Sequence, residues 1–287
     1  RIEYANDTGT TPTKGPLSSG NIYASQNSAT GNQSFGYFAA YEGGSVNKID
    51  YSNDTATATI IGGQISFSQI TGPAAISRKG QGRPDTSNIS PVATNFGYFG
   101  GGSVPTNIST VDRIDYSNDT AAAATKGPLS VARTSMGAVG NVSFGYFGGG
   151  FGPSASSTVD RIDYSNDTAT APAKGPLSHT KTYLAATGNS NFGYYGGGDP
   201  GGSKVDRIDY SNDTATASAK GPLSVARGML SATGNQNFGY FGGGENKSTV
   251  DRIDYSSDTG TTPTKGPLSA ARKNLSATGN ASFGYFG

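Results

Sequence analysis

Asp209, Asn212 and Asp213 fall within the phrase DYSNDT, and oxygen-bearing side chains at that density are what a calcium site requires. The central glycine and closing glutamate of an EF-hand loop are missing, however. Asn, Asp and Ser in this order also make a tight turn in which a side chain bonds its own backbone. The turn is the expected reading, with no metal. The same phrase carries Asn-Asp-Thr at Asn6, Asn53, Asn118, Asn166 and Asn212, which fits the N-glycosylation triplet. The chain has one histidine, His179, and no cysteine, so a thiolate metal site and a cysteine nucleophile are excluded. Tyrosine and arginine are plentiful, but the prominent ones recur in copy after copy. A catalytic residue should differ from its copies, so no catalytic residue and no cofactor are expected. Four cations, Arg133, Lys181, Arg227 and Arg272, stand at matching points of the copies. Grouped cations could hold carboxylate, sulfate or phosphate.

Positioning those groups requires a fold, and composition limits the choice. The 287 residues carry 21 Lys+Arg against 20 Asp+Glu, a net charge of +1. That balance gives no bulk basic field for nucleic acid. No apolar run approaches a membrane-spanning length, and Arg1–Thr10 do not have the form of a secretory signal. Glycine is abundant at 44 residues, yet 16 Tyr and 13 Phe argue against disorder, because disordered chains lack the aromatics that bury surface.

The aromatics recur in a fixed phrase. FGYFGGG begins at Phe144, with close variants at Phe35, Phe96, Phe192, Phe238 and Phe283. RIDYSNDT tracks it, with tyrosines Tyr4, Tyr51, Tyr116, Tyr164, Tyr210 and Tyr255 spaced 47, 65, 48, 46 and 45 residues apart. A third phrase, KGPLS, starts at Lys14, Lys126, Lys174, Lys220 and Lys265. A period of about 45–50 residues is the size of a four-stranded propeller blade. Each unit reads as strand A (GMLSATGN), strand B (QNFGYFGGG), strand C (STVDRIDY) and strand D (ATASAKGPLS), with TGN joining A to B and SNDT joining C to D. In B, Phe238 and Tyr240 share one face and Phe241 takes the other. In C, Arg207 and Asp209 share a face, which predicts an Arg–Asp ladder between neighbouring blades.

Six copies of B and C predict one all-β domain over 1–287, a six-bladed β-propeller of four-stranded antiparallel blades. The chain starts inside a C strand and stops just after a B strand. The termini are therefore expected to share one two-plus-two blade that closes the ring.

An arginine, a small-residue strand, an aromatic strand ending in Gly-Gly and a strand ending in Tyr resemble the kelch repeat over nearly the whole chain. One position departs from that pattern. Where the family carries Trp, seven residues after the Tyr, this chain has Thr11, Ala58, Ala123, Ala171, Ala217 and Thr262. The outer strand is therefore expected to pack more thinly. The wording of the repeat also resembles kelch-like proteins of marine bacteriophages, cyanophages among them. Some kelch-type propellers are copper oxidases, but that site needs several histidines and a Tyr–Cys crosslink, which one histidine and no cysteine cannot supply.

A meander puts the D–A and B–C connections on one face and the A–B and C–D turns on the other. The turns are nearly uniform, whereas the B–C loops differ in every copy. Tyr51 to Phe96 is also 17 residues longer than the same span in four other units, which predicts an enlarged D–A connection within about 59–94, carrying Arg78, Lys79 and Arg83. Binding concentrates on variable loops held by a rigid scaffold. The resemblance places the cations before strand A at the mouth of the central channel. Arg133, Lys181, Arg227 and Arg272, with Arg78 and Arg83, are thus candidate ligand-binding residues. The alternative is that each cation caps carbonyls of its own blade. The expected function is non-catalytic recognition of a host surface glycan, extracellular or on a virion surface, without nucleic-acid binding or membrane insertion. The rival is a structural subunit of a phage tail, capsid decoration or fibre, contacting other virion proteins or its own copies as a homo-oligomer. A glycan-active enzyme is a distant third.

Overall fold

Phe-Gly-Tyr-Phe alternates a half-buried ring, a glycine and two fully buried rings, and this alternation builds strand B in the computed structural model. The structure describes residues 1–18, 28–39, 45–61, 74–77, 96–103, 105–200 and 202–287. These residues form six antiparallel sheets, five of them meanders of strands in chain order and the sixth shared between the two ends of the chain. Blade 1 comprises Ser28–Gly31, Phe35–Ala39, Val46–Asp50 and Thr59–Ile61, and blade 2 comprises Ala74–Ser77, Phe96–Gly100, Val111–Asp115 and Ala124–Lys126. Blade 3 comprises Gly137–Gly140, Phe144–Gly148 and Val159–Asp163, with the Asp160–Ala173 bridge marking its D position. Blade 4 comprises Ala185–Gly188, Phe192–Gly196, Val205–Asp209 and Ser218–Lys220, and blade 5 comprises Ser231–Gly234, Phe238–Gly242, Val250–Asp254 and Thr264–Lys265. Blade 6 joins Ala277–Gly279 and Phe283–Phe286 to Ile2–Glu3, with Ile2 opposite Gly284. Strand A of each blade touches strand A of the next, blade 6 touching blade 1, so the ring is closed. The chain is a six-bladed β-propeller.

The repeated residues are the inter-blade joints. The strand-B tyrosine of each blade stacks on the strand-C tyrosine of the next: Tyr37 on Tyr116, Tyr98 on Tyr164, Tyr146 on Tyr210, Tyr194 on Tyr255, Tyr240 on Tyr4 and Tyr285 on Tyr51, with centroids 4.8–5.2 Å apart. Each such pair contributes about 0.5–1.5 kcal/mol beyond its buried area. The last aromatic of strand B packs the opposite way. The Phe241 ring lies so close to Gly196 of blade 4 that a Cβ there would sit 2.7 Å from it. The glycines of FGYFGG are the seats for these rings.

The polar half of the joint differs from the expected ladder. Asp209 accepts from the backbone N–H and Oγ of Ser211, capping its own turn. Arg207 instead reaches Asp258 in the C–D turn of blade 5, at 2.7 Å. Asp258 also accepts from Tyr194 at 2.8 Å and pairs with Lys220 at 3.2 Å. Asp7, Asp54, Asp167 and Asp213 gather the same trio from the preceding blade. Both acidic positions of DYSNDT are thus occupied within the protein, one by its own turn and one by the neighbouring blade.

The outer strand is also filled, contrary to the thin packing expected of it. The Gly-Pro of KGPLS closes onto the next blade. The Gly175 N–H donates to Asp213 O at 2.8 Å and the Ala217 N–H to Pro176 O at 2.8 Å. Ala58, Ala171, Ala217, Thr11 and Thr262 are buried beneath these turns. Ala123 is only partly buried, and the blade before it has no KGPLS. Small residues stand at these positions because the neighbour's Gly-Pro turn takes the space of a larger ring.

The register also moves the long insertion. Ala74 pairs with Gly100 and Ser77 with Gly97, so Ala74–Ser77 is strand A of blade 2. The extra length then falls at 78–95, between strands A and B, where the other blades have only 32–34, 141–143, 189–191, 235–237 and 280–282. The extra length therefore joins strand A to strand B rather than strand D to strand A, and its residues lie outside the described ones. Arg78, Lys79 and Arg83 lie outside the described residues.

Candidate functional site

The face formed by B–C loops and D–A connections is fastened at two levels. Strand B ends in glycines at positive φ, such as Gly149 and Gly150 at 71° and 95°, which a residue with a Cβ rarely adopts. Their N–H groups reach sideways: Gly102 N–H donates to Arg133 O, Gly150 to Lys181 O, Gly198 to Arg227 O and Gly244 to Arg272 O, at 2.7–3.0 Å. The base of each B–C loop is therefore bonded to the next blade's D–A connection, at the very residue that carries a candidate cation.

The side chains of three of those cations turn into their own blades. Arg227 pairs with Asp251 at 2.7 Å and donates to Gly243 O, Phe241 O and Val225 O at 2.7, 3.0 and 3.2 Å. Arg133 pairs with Asp160 and donates to Gly149 O and Thr158 O. Lys181 pairs with Asp206 at 3.2 Å and donates to Tyr195 O and Lys204 O. These three cations are at most 1 % exposed, and their aspartates are fully buried. Burial pulls the Arg133 and Lys181 side chains below their ordinary pKa, the paired aspartates only partly offsetting it. Of the two readings of the cation ring, the structure realises carbonyl capping for these three, which leaves no face of them open to an anion. Arg272 is half-buried, with Ser269 Oγ at 3.3 Å and no ion pair among the described residues.

The sequence contains a neutral version of this pair. Counting seven residues back from the glycine that ends strand A gives Arg133, Lys181, Arg227 and Arg272, but Ala24 in blade 1. Strand C of blade 1 correspondingly has Asn47 where blades 3, 4 and 5 have Asp160, Asp206 and Asp251. Asn47 accepts from Ser18 N–H and Oγ. In blade 1 cation and acid are absent together, whereas blade 2 keeps the acid as Asp112, fully buried at the same register position.

Five residues before the glycine that ends strand A lies a feature with no sequence signature. Ser135, Tyr183, Met229 and Asn274 occupy one structural position in blades 3 to 6, and all have positive φ, 58°, 58°, 57° and 58°. They are linked blade to blade: Tyr183 N–H donates to Ser135 O, Met229 N–H to Tyr183 O and Asn274 N–H to Met229 O, at 2.9–3.0 Å. Since the A strands are innermost, this chain of bonds runs along the mouth of the axis across blades 3 to 6. Around it stand exposed apolar side chains of the D–A and B–C segments: Val131, Phe151 and Val225, each more than 40 % exposed. Glu245 of a B–C loop reaches in to accept from Gly228 N–H at 3.0 Å.

Among the described residues, no group of three or more His, Asp or Glu is placed to hold a metal ion. No helix among them is long and apolar enough to cross a membrane. No protein-family model matches this chain, and no curated protein matches it.

Proposed function

We propose that this propeller is a non-catalytic recognition module of the kelch type, carried on a virion or cell surface, that binds host surface glycan through its B–C loops and D–A connections. One observation carries the reading. The residues that join blades repeat almost without change, while the B–C loops fastened to that frame differ in every copy. A rigid frame with non-repeating loops is how binding surfaces are built. The catalytic alternative is weaker because the repeated tyrosines, arginines and aspartates are committed to joints between blades. The extra length between strands A and B of blade 2, found in no other blade, favours a second reading: a subunit of a tail, capsid decoration or fibre that uses it for assembly.

Purified surface polysaccharides, probed against immobilised protein by interferometry, test the proposal. Exchanging residues 151–156 for the shorter loop of blade 5 is expected to change the binding profile, and Val142→Asp, in an A–B turn, to leave it intact. Binding that is absent, or lost only with Val142→Asp, contradicts it.

A further inference from the structure

Aromatic rings in this protein are covered as a rule. Most are buried between blades, and the partly buried strand-B rings Phe35, Phe96, Phe144, Phe192, Phe238 and Phe283 each lie under a lysine or arginine, 4.0–4.4 Å from the ring centroid. Phe151 departs from that rule. It is 45 % exposed, and no other Phe or Tyr among the described residues is exposed. It follows Gly150 at the head of the B–C loop of blade 3, where blades 2, 4 and 5 have Ser103, Asp199 and Glu245. The fold therefore does not require a ring there. The backbone beneath the ring is held on several sides. Phe151 N–H donates to Thr134 O at 2.8 Å, and Phe151 O accepts from Thr134 N–H at 2.9 Å. Phe151 O also accepts from Asn107 Nδ2, in the B–C loop of blade 2, at 3.1 Å. The loop then closes on itself and on the D–A connection into blade 4: Ser156 N–H donates to Gly150 O at 2.8 Å and Lys181 N–H to Ser156 O at 3.0 Å. A ring on so fixed a backbone loses little freedom when something covers it.

Resting on the recognition reading above, we infer that Phe151 is the platform on which a neutral pyranose stacks its C–H face, over the half of the binding face formed by the loops of blades 2 and 3. The chemistry around the ring carries this. Residues 103–110 and 151–158 contain no charged side chain, whereas the loops of blades 4 and 5 carry Asp199, Lys204, Glu245 and Lys247. Thr106 and Ser154 are exposed in the uncharged pair of loops, and their hydroxyls can donate to and accept from sugar hydroxyls. An apolar ring bordered by a few uncharged polar groups has the composition of a small-ligand site. A pyranose matches it, with an apolar C–H face and a polar rim. A protein partner matches it less well. An aromatic side chain buries about 150–250 Å² in all, so the exposed part of Phe151 offers about 100 Å², against roughly 800 Å² per partner in a stable interface.

An array of neutral and uronic-acid-containing oligosaccharides, read with wild type, Phe151→Ser and Phe151→Tyr, tests this, with a melting curve and a sedimentation profile for each. Wild type is expected to bind neutral members. Phe151→Ser should keep the wild-type melting temperature, as exposed substitutions do, while losing affinity by about tenfold or more. Phe151→Tyr keeps the ring and should stay within about threefold of wild type. Affinity retained in Phe151→Ser overturns the platform and leaves recognition by the B–C loops standing. A lowered melting temperature in that variant also overturns it, because the ring would then be a packing group. A wild-type dimer that Phe151→Ser dissociates makes the ring a contact between copies and overturns it as well. Binding confined to uronic-acid members removes the neutral ligand. Wild type binding no glycan defeats both this inference and the glycan-binding reading beneath it.

Discussion

Replacing Arg227 with alanine removes the cation opposite a carboxylate that is 0 % exposed. Asp251 would remain in the blade with Ser224 N–H, at 3.3 Å, as a weak partner. Three carbonyl acceptors, on Gly243, Phe241 and Val225, would lose their donors as well. Breaking a buried ion pair by removing one partner costs roughly 3–5 kcal/mol, a large part of a domain stability of about 5–15 kcal/mol. At about 2.1 cal/mol/K per residue, 287 residues give an unfolding entropy near 0.6 kcal/mol/K. A loss of about 4 kcal/mol then lowers Tm by about 7 °C. The second arm of the experiment copies blade 1. Arg227→Ala with Asp251→Asn recreates the residue types of blade 1, Ala24 and Asn47, with Ser224 in the place of Ser18, and should recover half or more of the lost Tm. Circular-dichroism melts of the wild type, the single variant and the double variant provide the readout. A single variant that melts like wild type, or a double variant no better than the single, refutes the claim that the pair is a structural clamp. Wild-type stability with lost ligand affinity would restore Arg227 to the binding site.

Gly175→Ala would drive a Cβ into the backbone carbonyl of Ala215 across a blade joint, whereas a Cβ on Gly260 meets nothing within 4 Å. Urea unfolding should show a loss of about 2–3 kcal/mol for the first and a change within ~0.5 kcal/mol for the second. Burial alone would raise the carboxyls of Asp7, Asp54 and Asp258, but hydrogen bonds from Tyr and Lys together with the Arg and Lys charges outweigh it and hold them below the usual range. Their contribution is therefore complete above the unfolded-state value of about 4 and lost as pH falls through the lower folded values. Tm should hold steady near neutrality and fall in acid, with a shallower acid slope in Asp258→Asn; a Tm that rises in acid contradicts this. EDTA should leave Tm unchanged, because Asp209 and Asp213 are already engaged by Ser211, Tyr146, Arg161 and Lys174; a drop would indicate a bound cation.

The joints between blades were the most legible part of the sequence, because each is made by the same residues six times and the period exposes them. Alternation along FGYF separates Tyr240 from Phe241 correctly. Partner choice was less legible. Arg207 lies on the same strand face as Asp209, and only the structure shows that the tighter bond runs to Asp258 while Asp209 closes its own turn. The spacing from Tyr51 to Phe96 reveals extra length but not its side of strand A. AAIS, at Ala74–Ser77, lacks the Ser-Ala-Thr-Gly pattern that would have marked that strand. The cations before strand A carry no sign of burial, since an arginine that clamps carbonyls and one that awaits an anion read alike. The ring at positive φ had no residue type to betray it. Its only regularity is a place five residues before the glycine that ends strand A, and glycine, the usual marker of that conformation, is missing from all four described copies.

The central claim is that the face of B–C loops and D–A connections is the binding face. Hydrogen–deuterium exchange of the full chain, alone and with a saturating surface polysaccharide that it binds, tests this most directly. The account predicts new protection at 149–158, 197–204 and 243–249 and in the D–A connections around Ser135, Tyr183, Met229 and Asn274, with the C–D and A–B turns unchanged. Protection confined to those turns would place the ligand on the opposite face and contradict it.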